Sequence, residues 1–135
     1  MDNRDGAAEF ITSRADAARA RLSSDLVIAG GWVFVNNVLP IDPANDRTSL
    51  PEQVEAQTRK VLANFDAIIK AKGLSRDQVV SVRVAVVDLP RFEERMETGY
   101  AGFFAAGRLP ARSVIGVASL PRGALIAMDF TLYLG

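Results

Sequence analysis

Cysteine and histidine are both absent from the 135 residues of this sequence. Their absence excludes zinc ligation by thiolates and imidazoles, disulfide bonds, cysteine nucleophiles and the Ser-His-Asp triad. Any catalysis must therefore use carboxylates, arginine, lysine, hydroxyls or backbone groups. No run of about 18 apolar residues is present and no apolar signal core follows Met1, so we expect no membrane partner and predict a cytoplasmic location.

Net charge is absent as well, because 16 Lys and Arg residues balance 16 Asp and Glu residues. Without a net charge, no long-range field draws the chain toward phosphate backbones, and the basic residues are scattered without interleaved aromatic residues. Nucleic acid is therefore not the favoured partner. Hydrophobic residues at 49% and charged residues at 24% are typical of a soluble globular chain, and the length suits one domain.

The pattern of apolar residues predicts an arm at residues 1–24 and a domain at residues 25–135 with the order β-β-α-β-α-β-β. Gly30-Gly31 lies between two β-rich runs, which is typical of a hairpin. The first helix is predicted to begin at a capping box, Ser49-Leu50-Pro51-Glu52, and to end at Gly73. The later elements are predicted to be a strand at 79–87, a helix from Pro90 to Gly107, and strands at 111–119 and 124–134.

The two strands at the carboxyl-terminal end are predicted to form an antiparallel hairpin around Pro121. Pairing Ser113 with Phe130 gathers large apolar side chains on the face that covers the helices. Arg112 and Asp129 then share the other face, whose small residues predict packing against a neighbouring subunit. The two residues form either a structural ion pair at an interface or a site in which the guanidinium binds a carboxylate through two hydrogen bonds.

Several motifs together resemble the Rid (reactive intermediate deaminase) family, also called the YjgF family. This resemblance implies an α+β, chorismate-mutase-like fold, in which two helices pack on one face of a mixed sheet. It also implies a homotrimer with clefts between the subunits. The motifs are Pro40 and Pro43, Gln57, Leu62-Ala63-Asn64-Phe65, Val84-Ala85-Val86-Val87-Asp88-Leu89, Tyr100, Phe103-Phe104 and Pro110-Ala111-Arg112-Ser113.

The resemblance also implies a reaction and its residues. In active members the arginine of the Pro-Ala-Arg-Ser segment, here Arg112, binds the carboxylate of a 2-imino acid, which is released as a 2-oxo acid and ammonia. An acidic residue on the last strand, here Asp129, holds the attacking water. Val114 would contribute backbone groups. Asn36 and Asn37 would either form the pocket floor or only cap the end of a strand. A protonated imine already has an electrophilic carbon, so no metal and no organic cofactor is required.

The sequence departs from the family pattern at several positions around this site. Arg21-Leu22-Ser23-Ser24 replaces a segment that usually carries a tyrosine, and Asp129 is one methylene shorter than the usual glutamate. The asparagine often found on the second helix falls on Met96 or Glu97.

We expect the hydrolysis of a small carboxylate-bearing enamine or imine to a 2-oxo acid and ammonia in an intersubunit cleft. The alternative is a non-catalytic trimeric regulatory protein that binds a small 2-oxo acid or a similar anion through Arg112.

Overall fold

Strands and helices alternate along the chain in the computed structural model, which describes residues 6–12, 22–45 and 47–135. Residues 1–5 and 13–21 of the predicted arm lie outside this range, whereas residues 9–11 add a short strand to the sheet. The elements are β1 (Glu9–Ile11), β2 (Leu26–Ala29), β3 (Trp32–Val38), α1 (Val54–Lys70), β4 (Val79–Val87), α2 (Leu89–Tyr100), β5 (Ala111–Val117) and β6 (Ile126–Tyr133).

The strands form one mixed sheet in the order β1-β2-β3-β6-β4-β5. β4 and β5 are parallel, and the other neighbouring strands are antiparallel. Both helices contribute to a core on one face of the sheet, where Phe65 of α1 stacks on Phe130 of β6 with ring centroids 3.7 Å apart. The predicted α+β fold with a mixed sheet is confirmed.

The predicted hairpin of β5 and β6 is wrong, because β4 lies between these two strands. Val82, Val84 and Val86 of β4 are at most 1% exposed and face the core, while β4 pairs with β6 on one edge and with β5 on the other. After β4, α2 returns the chain to the end of the sheet at which β4 begins, so β5 runs parallel to β4. The connection to β6 then passes the end of β4, where the Val87 N–H donates to the Leu125 carbonyl at 2.9 Å.

The parallel register also reverses the predicted faces of β5. Arg112 and Val114 lie on the side covered by α2, and a Cβ on Gly116 would be 3.3 Å from Leu89. Ile115, which was predicted to cover the helices, lies on the other face and is 39% exposed. Because side chains alternate along a strand, one wrong pairing reverses every assignment on it.

Helix boundaries differ from the prediction at both helices. Gln53 is the N-cap of α1 and makes no side-chain capping bond, so the predicted capping box at Ser49 does not form. α2 ends at Tyr100, seven residues before the predicted stop at Gly107, and Gly102 beyond it has a positive φ of 84°. A glycine with a positive φ just after the last turn commonly ends a helix, and Gly102 has this role instead of Gly107.

Two buried amide side chains of α1 hold the loops at one end of the sheet. The Gln57 amide donates to the Pro51 carbonyl at 2.7 Å and accepts the Leu125 N–H at 2.8 Å. Asn64 donates to the carbonyls of Leu39 and Ile41 at 2.9 and 2.8 Å. Buried backbone groups need such partners, so these amides fix the loop after β3 and the start of β6 relative to α1.

The face of the sheet away from the helices carries exposed aromatic side chains. Trp32, Phe34 and Tyr133 are between 42% and 46% exposed, and the rings of Trp32 and Tyr133 lie 4.8 Å apart. We call this surface the open face; it also includes Asp129 and Arg83, which lie directly opposite each other on β6 and β4.

Candidate functional site

Arg112 is held by an acidic residue of α2. Its Nη1 and Nη2 atoms each donate to one carboxylate oxygen of Glu97, both at 2.6 Å. The Arg112 side chain is 28% exposed and that of Glu97 is 37% exposed, so the pair lies at the surface but is partly shielded. This arrangement, with two parallel hydrogen bonds, is the geometry in which a guanidinium also recognises a ligand carboxylate.

An aromatic ring supports the same guanidinium. The Cζ atom of Arg112 lies 4.7 Å from the ring centroid of Tyr100, within the range of a cation–π interaction. Hydrogen bonding to Glu97 is the main cause of a raised pKa of Arg112, so this residue stays positively charged. Burial raises the pKa of Tyr100, and the charge of Arg112 partly opposes this increase.

The position of α2 sets this geometry. Glu97 and Tyr100 are three residues apart, so both side chains lie on one side of the helix, toward β5. Gly99 lies against α1, where an added Cβ would be 2.7 Å from the Glu55 carbonyl oxygen. Close packing at Gly99 therefore fixes the distance between α2 and α1, and with it the positions of Glu97 and Tyr100 beside Arg112.

Asp129 belongs to a second group of predicted residues, at the end of β3. Its Oδ1 atom accepts the backbone N–H of Asn37 at 2.6 Å. Asn37 has a φ of 53°, a left-handed conformation that asparagine tolerates better than most residues. Asn36 and Asn37 are both exposed beside an irregularity in the β3–β6 pairing. The structure thus brings Asn37 and Asp129 together and leaves Asn36 next to them.

Arg112 and Asp129 do not share a face, so that prediction is wrong. Arg112 points to the helix side, whereas Asp129 lies on the open face, and β4 separates their strands. Two strand spacings amount to roughly 10 Å, and the sheet itself blocks a direct approach. The prediction failed because it depended on the β5–β6 hairpin.

Val114, the remaining predicted residue, packs its side chain against the core and lies opposite Val84. Among the described residues β5 is the last strand of the sheet, so one of its edges has no neighbouring strand from this part of the chain.

Glu97 and Tyr100 are the contacts of Arg112 that sequence reasoning did not assign. The family pattern left Met96 and Glu97 as alternatives for one position on the second helix. Met96 is fully buried, whereas Glu97 reaches Arg112. The three-residue spacing to Tyr100, itself one of the family motifs, is the signal that could have selected Glu97.

The described part of the chain also has surface clefts away from Arg112. A cleft of about 390 Å³ is lined by residues of α1 and the segment after α2, including Arg59, Asp66 and Arg76. Another, of about 450 Å³, lies beside the start of α1 and includes Arg47 and Arg122. Neither cleft includes Arg112 or Asp129 among its lining residues.

Within residues 6–12, 22–45 and 47–135, no group of three or more acidic side chains is arranged to hold a metal ion. Across the same ranges, no helix has the length and apolar character needed to cross a membrane.

Several known proteins are similar to this chain in sequence. The family model described as endoribonuclease L-PSP matches residues 12–133. A RutC family protein of Pyrococcus horikoshii is 34% identical over 110 residues, which cover 82% of this chain and 85% of that protein. The chloroplastic Reactive Intermediate Deaminase A of Arabidopsis thaliana is 36% identical over 118 residues, covering 87% of this chain and 61% of that protein.

Solved structures show the same architecture. The YjgF gene product of E. coli superimposes with a TM-score of 0.78 and is 27% identical, with 93% of this chain and 98% of that chain covered. The fold and the order of its elements are therefore shared with that protein.

Proposed function

This chain belongs to the endoribonuclease L-PSP family, the family of the Rid and YjgF proteins, and from that membership we propose that it is an enamine or imine deaminase. The proposed reaction converts a small carboxylate-bearing enamine or imine into a 2-oxo acid, or a related carbonyl compound, and ammonia. The observation that carries the proposal is an arginine of the family motif, Arg112, presented with its guanidinium on an aromatic ring at a partly exposed edge strand. The Arabidopsis relative, named a deaminase, supports the same chemistry.

Arg112 is proposed to bind the substrate carboxylate. Its planar fork matches the two oxygens of a carboxylate, and the face of Tyr100 fixes the plane in which the fork lies. The raised pKa of Arg112 keeps the charge in place over the physiological range.

Asp129 is proposed to orient the attacking water. Because Asp129 and Arg112 lie on opposite faces of one sheet, they can meet the same substrate only if the open face of one copy packs beside the Arg112 edge of another. Three neighbouring aromatic side chains on the open face favour such self-association: Trp32, Phe34 and Tyr133, each more than 40% exposed. Exposed apolar patches of this kind commonly mark a protein–protein contact. We therefore propose a homotrimer with the site between copies.

The reaction needs no group beyond these residues and water. The water oxygen attacks the carbon of the protonated imine and forms a C–O bond, while the carboxylate of Asp129 accepts one proton. Asp129 then returns this proton to the nitrogen of the amino alcohol. As the C–N bond breaks, its electron pair leaves with ammonia, an oxygen electron pair forms the C=O bond, and the hydroxyl proton passes to the Asp129 carboxylate, so the carbonyl product and ammonia separate. Asn36, Asn37 and the backbone of Val114 are proposed to line the pocket in which this occurs.

RNA is not proposed as the substrate, although the family description names an endoribonuclease. Phosphate binding requires a concentrated positive surface, and this chain has no net charge.

A coupled assay tests the activity. An amino-acid oxidase or a pyridoxal-phosphate lyase generates imines from a panel of amino acids, and the rate of ammonia release is measured with and without this protein. We expect faster release with the protein, and little acceleration with Arg112→Lys, which keeps the charge but loses the fork. Arg95→Lys, at an exposed position of α2, is the matched control. No acceleration for any amino acid in the panel would refute the activity.

A non-catalytic regulatory protein that binds a 2-oxo acid is the second candidate, because the guanidinium fork of Arg112 matches a carboxylate whether or not a reaction follows binding. Asp129→Asn separates the two candidates. In an enzyme this change abolishes turnover, whereas in a binding protein it leaves the affinity for 2-oxobutanoate unchanged and there is no turnover to lose.

A further inference from the structure

Glu97 occupies the position in which a substrate carboxylate would bind. Both guanidinium nitrogens that face outward from the Arg112 fork already donate to Glu97, each at 2.6 Å. A ligand carboxylate would use the same nitrogens with the same geometry. Binding of an anion at Arg112 therefore requires that the Glu97 side chain first leaves.

The charges around Arg112 make this displacement selective. If a simple anion replaces Glu97, the Glu97 carboxylate loses its partner, and Glu93 on the same helix adds a second negative charge nearby. Glu97 then gives up its two hydrogen bonds to a cation, and a simple anion offers nothing in return. A zwitterionic ligand avoids this cost, because its carboxylate pairs with Arg112 while its cationic nitrogen pairs with the displaced Glu97.

We propose that Glu97 is a specificity-determining residue that makes the Arg112 site prefer zwitterionic ligands, such as the iminium form of an amino acid, over simple carboxylates. This inference rests on the proposed function, since it concerns the same site. It also distinguishes substrate from product. Hydrolysis removes the cationic nitrogen and leaves only a 2-oxo acid, so Glu97 returns to Arg112 and helps expel the product.

The structure allows Glu97 to move while its helix stays fixed. The side chain is 37% exposed, whereas the neighbouring Met96 and Gly99 are buried in the contacts that hold α2. Rotation of the glutamate side chain therefore requires no movement of the backbone.

Two ligands with one carbon skeleton test the inference. The affinities of 2-aminobutanoate, a zwitterion, and 2-oxobutanoate, an anion, are measured by calorimetry on the intact protein and on Glu97→Gln. We expect the unaltered protein to bind 2-aminobutanoate about tenfold more tightly than 2-oxobutanoate. In Glu97→Gln the affinity for 2-oxobutanoate should rise about tenfold and the preference should disappear.

Control variants test whether these changes in affinity arise from the Glu97–Arg112 ion pair. Glu94→Gln, at an exposed position of the same helix, should leave both affinities unchanged. Glu97→Ala should reproduce the gain in 2-oxobutanoate affinity, and combining Glu97→Gln with Arg112→Lys should abolish it. If Glu97→Gln does not bind 2-oxobutanoate more tightly than the unaltered protein does, including a case in which neither binds, the inference is overturned.

The activity assay is independent of this comparison. A protein that never accelerates ammonia release refutes the deaminase proposal, while a preference for 2-aminobutanoate that disappears in Glu97→Gln still supports the specificity of the site; an unaltered protein without that preference overturns it.

Discussion

Replacing Gly99 by alanine is expected to loosen the contact between the two helices. An added Cβ would lie 2.7 Å from the Glu55 carbonyl oxygen and 2.9 Å from the Thr58 Cβ. Neither atom is the end of a flexible side chain, so the new methyl group cannot be accommodated by a rotamer change. Relief of the overlap requires α2 to move away from α1 as a unit.

Two opposing effects set the size of this change. Alanine in place of glycine within a helix stabilises the folded state by about 0.5–1 kcal/mol. Overpacking of a tight contact destabilises it by about 1–3 kcal/mol, and a contact with backbone belongs in the upper part of that range. We therefore expect Gly99→Ala to lower the free energy of unfolding by about 1–2 kcal/mol, the difference between these two effects.

Urea denaturation followed by far-ultraviolet circular dichroism measures this free energy. The matched control is Gly107→Ala, because an added Cβ at Gly107 has no atom within 4 Å, and it should change stability by less than about 0.5 kcal/mol. A Gly99→Ala protein as stable as the unaltered one, or more stable, would refute the reasoning. The expected movement of α2 also carries Glu97 and Tyr100 away from Arg112, so anion affinity should change in Gly99→Ala and stay constant in the control.

Three further predictions concern other parts of the chain. Asn64→Asp places a carboxylate against two buried backbone carbonyls at 2.8 and 2.9 Å, so the free energy of unfolding in urea should fall by about 2–4 kcal/mol. A fall below about 1 kcal/mol would show that these bonds do not hold the loop. Burial raises the pKa of Tyr100 and the charge of Arg112 lowers it, so Arg112→Met should shift the phenolate absorbance of Tyr100 to still higher pH. Tyr100→Phe identifies which absorbance belongs to Tyr100, and an unchanged titration in Arg112→Met would contradict the contact. Because the folded-state pKa is raised, the contribution of Tyr100 to stability is complete below about pH 10 and is lost as pH rises through the folded-state value. Phe34→Asp on the open face should abolish self-association in light scattering and leave the far-ultraviolet circular dichroism spectrum unchanged; oligomers that persist would argue against the open face as the contact.

Local pattern was enough to predict the elements of this fold but not all of their partners. The strand at 79–87 and the first helix follow from β-branched density and helical periodicity, which are properties of neighbouring residues. The partner of a strand depends on the whole sheet. The insertion of β6 between β3 and β4 has no signature in the turn at Pro121, so a short connection was interpreted as a hairpin.

The candidate site shows the same limit. Arg112 could be selected from the sequence because its motif is local, whereas its partner on α2 depends on the rotation of that helix. Burial of Met96 in the core determines this rotation and turns Glu97 toward β5. The face on which Asp129 lies depends on the pairing of β6 with two strands, which only the assembled sheet defines.

The central place of β6 has a consequence for how the protein is made. During translation, β3 and β4 leave the ribosome well before residues 126–133, yet both pair with that segment in the sheet and neither pairs with the other. A nascent chain that stops short of Ile126 carries two unpaired strand edges rich in valine, which are templates for aggregation. The arrival of this one segment therefore covers both edges at once.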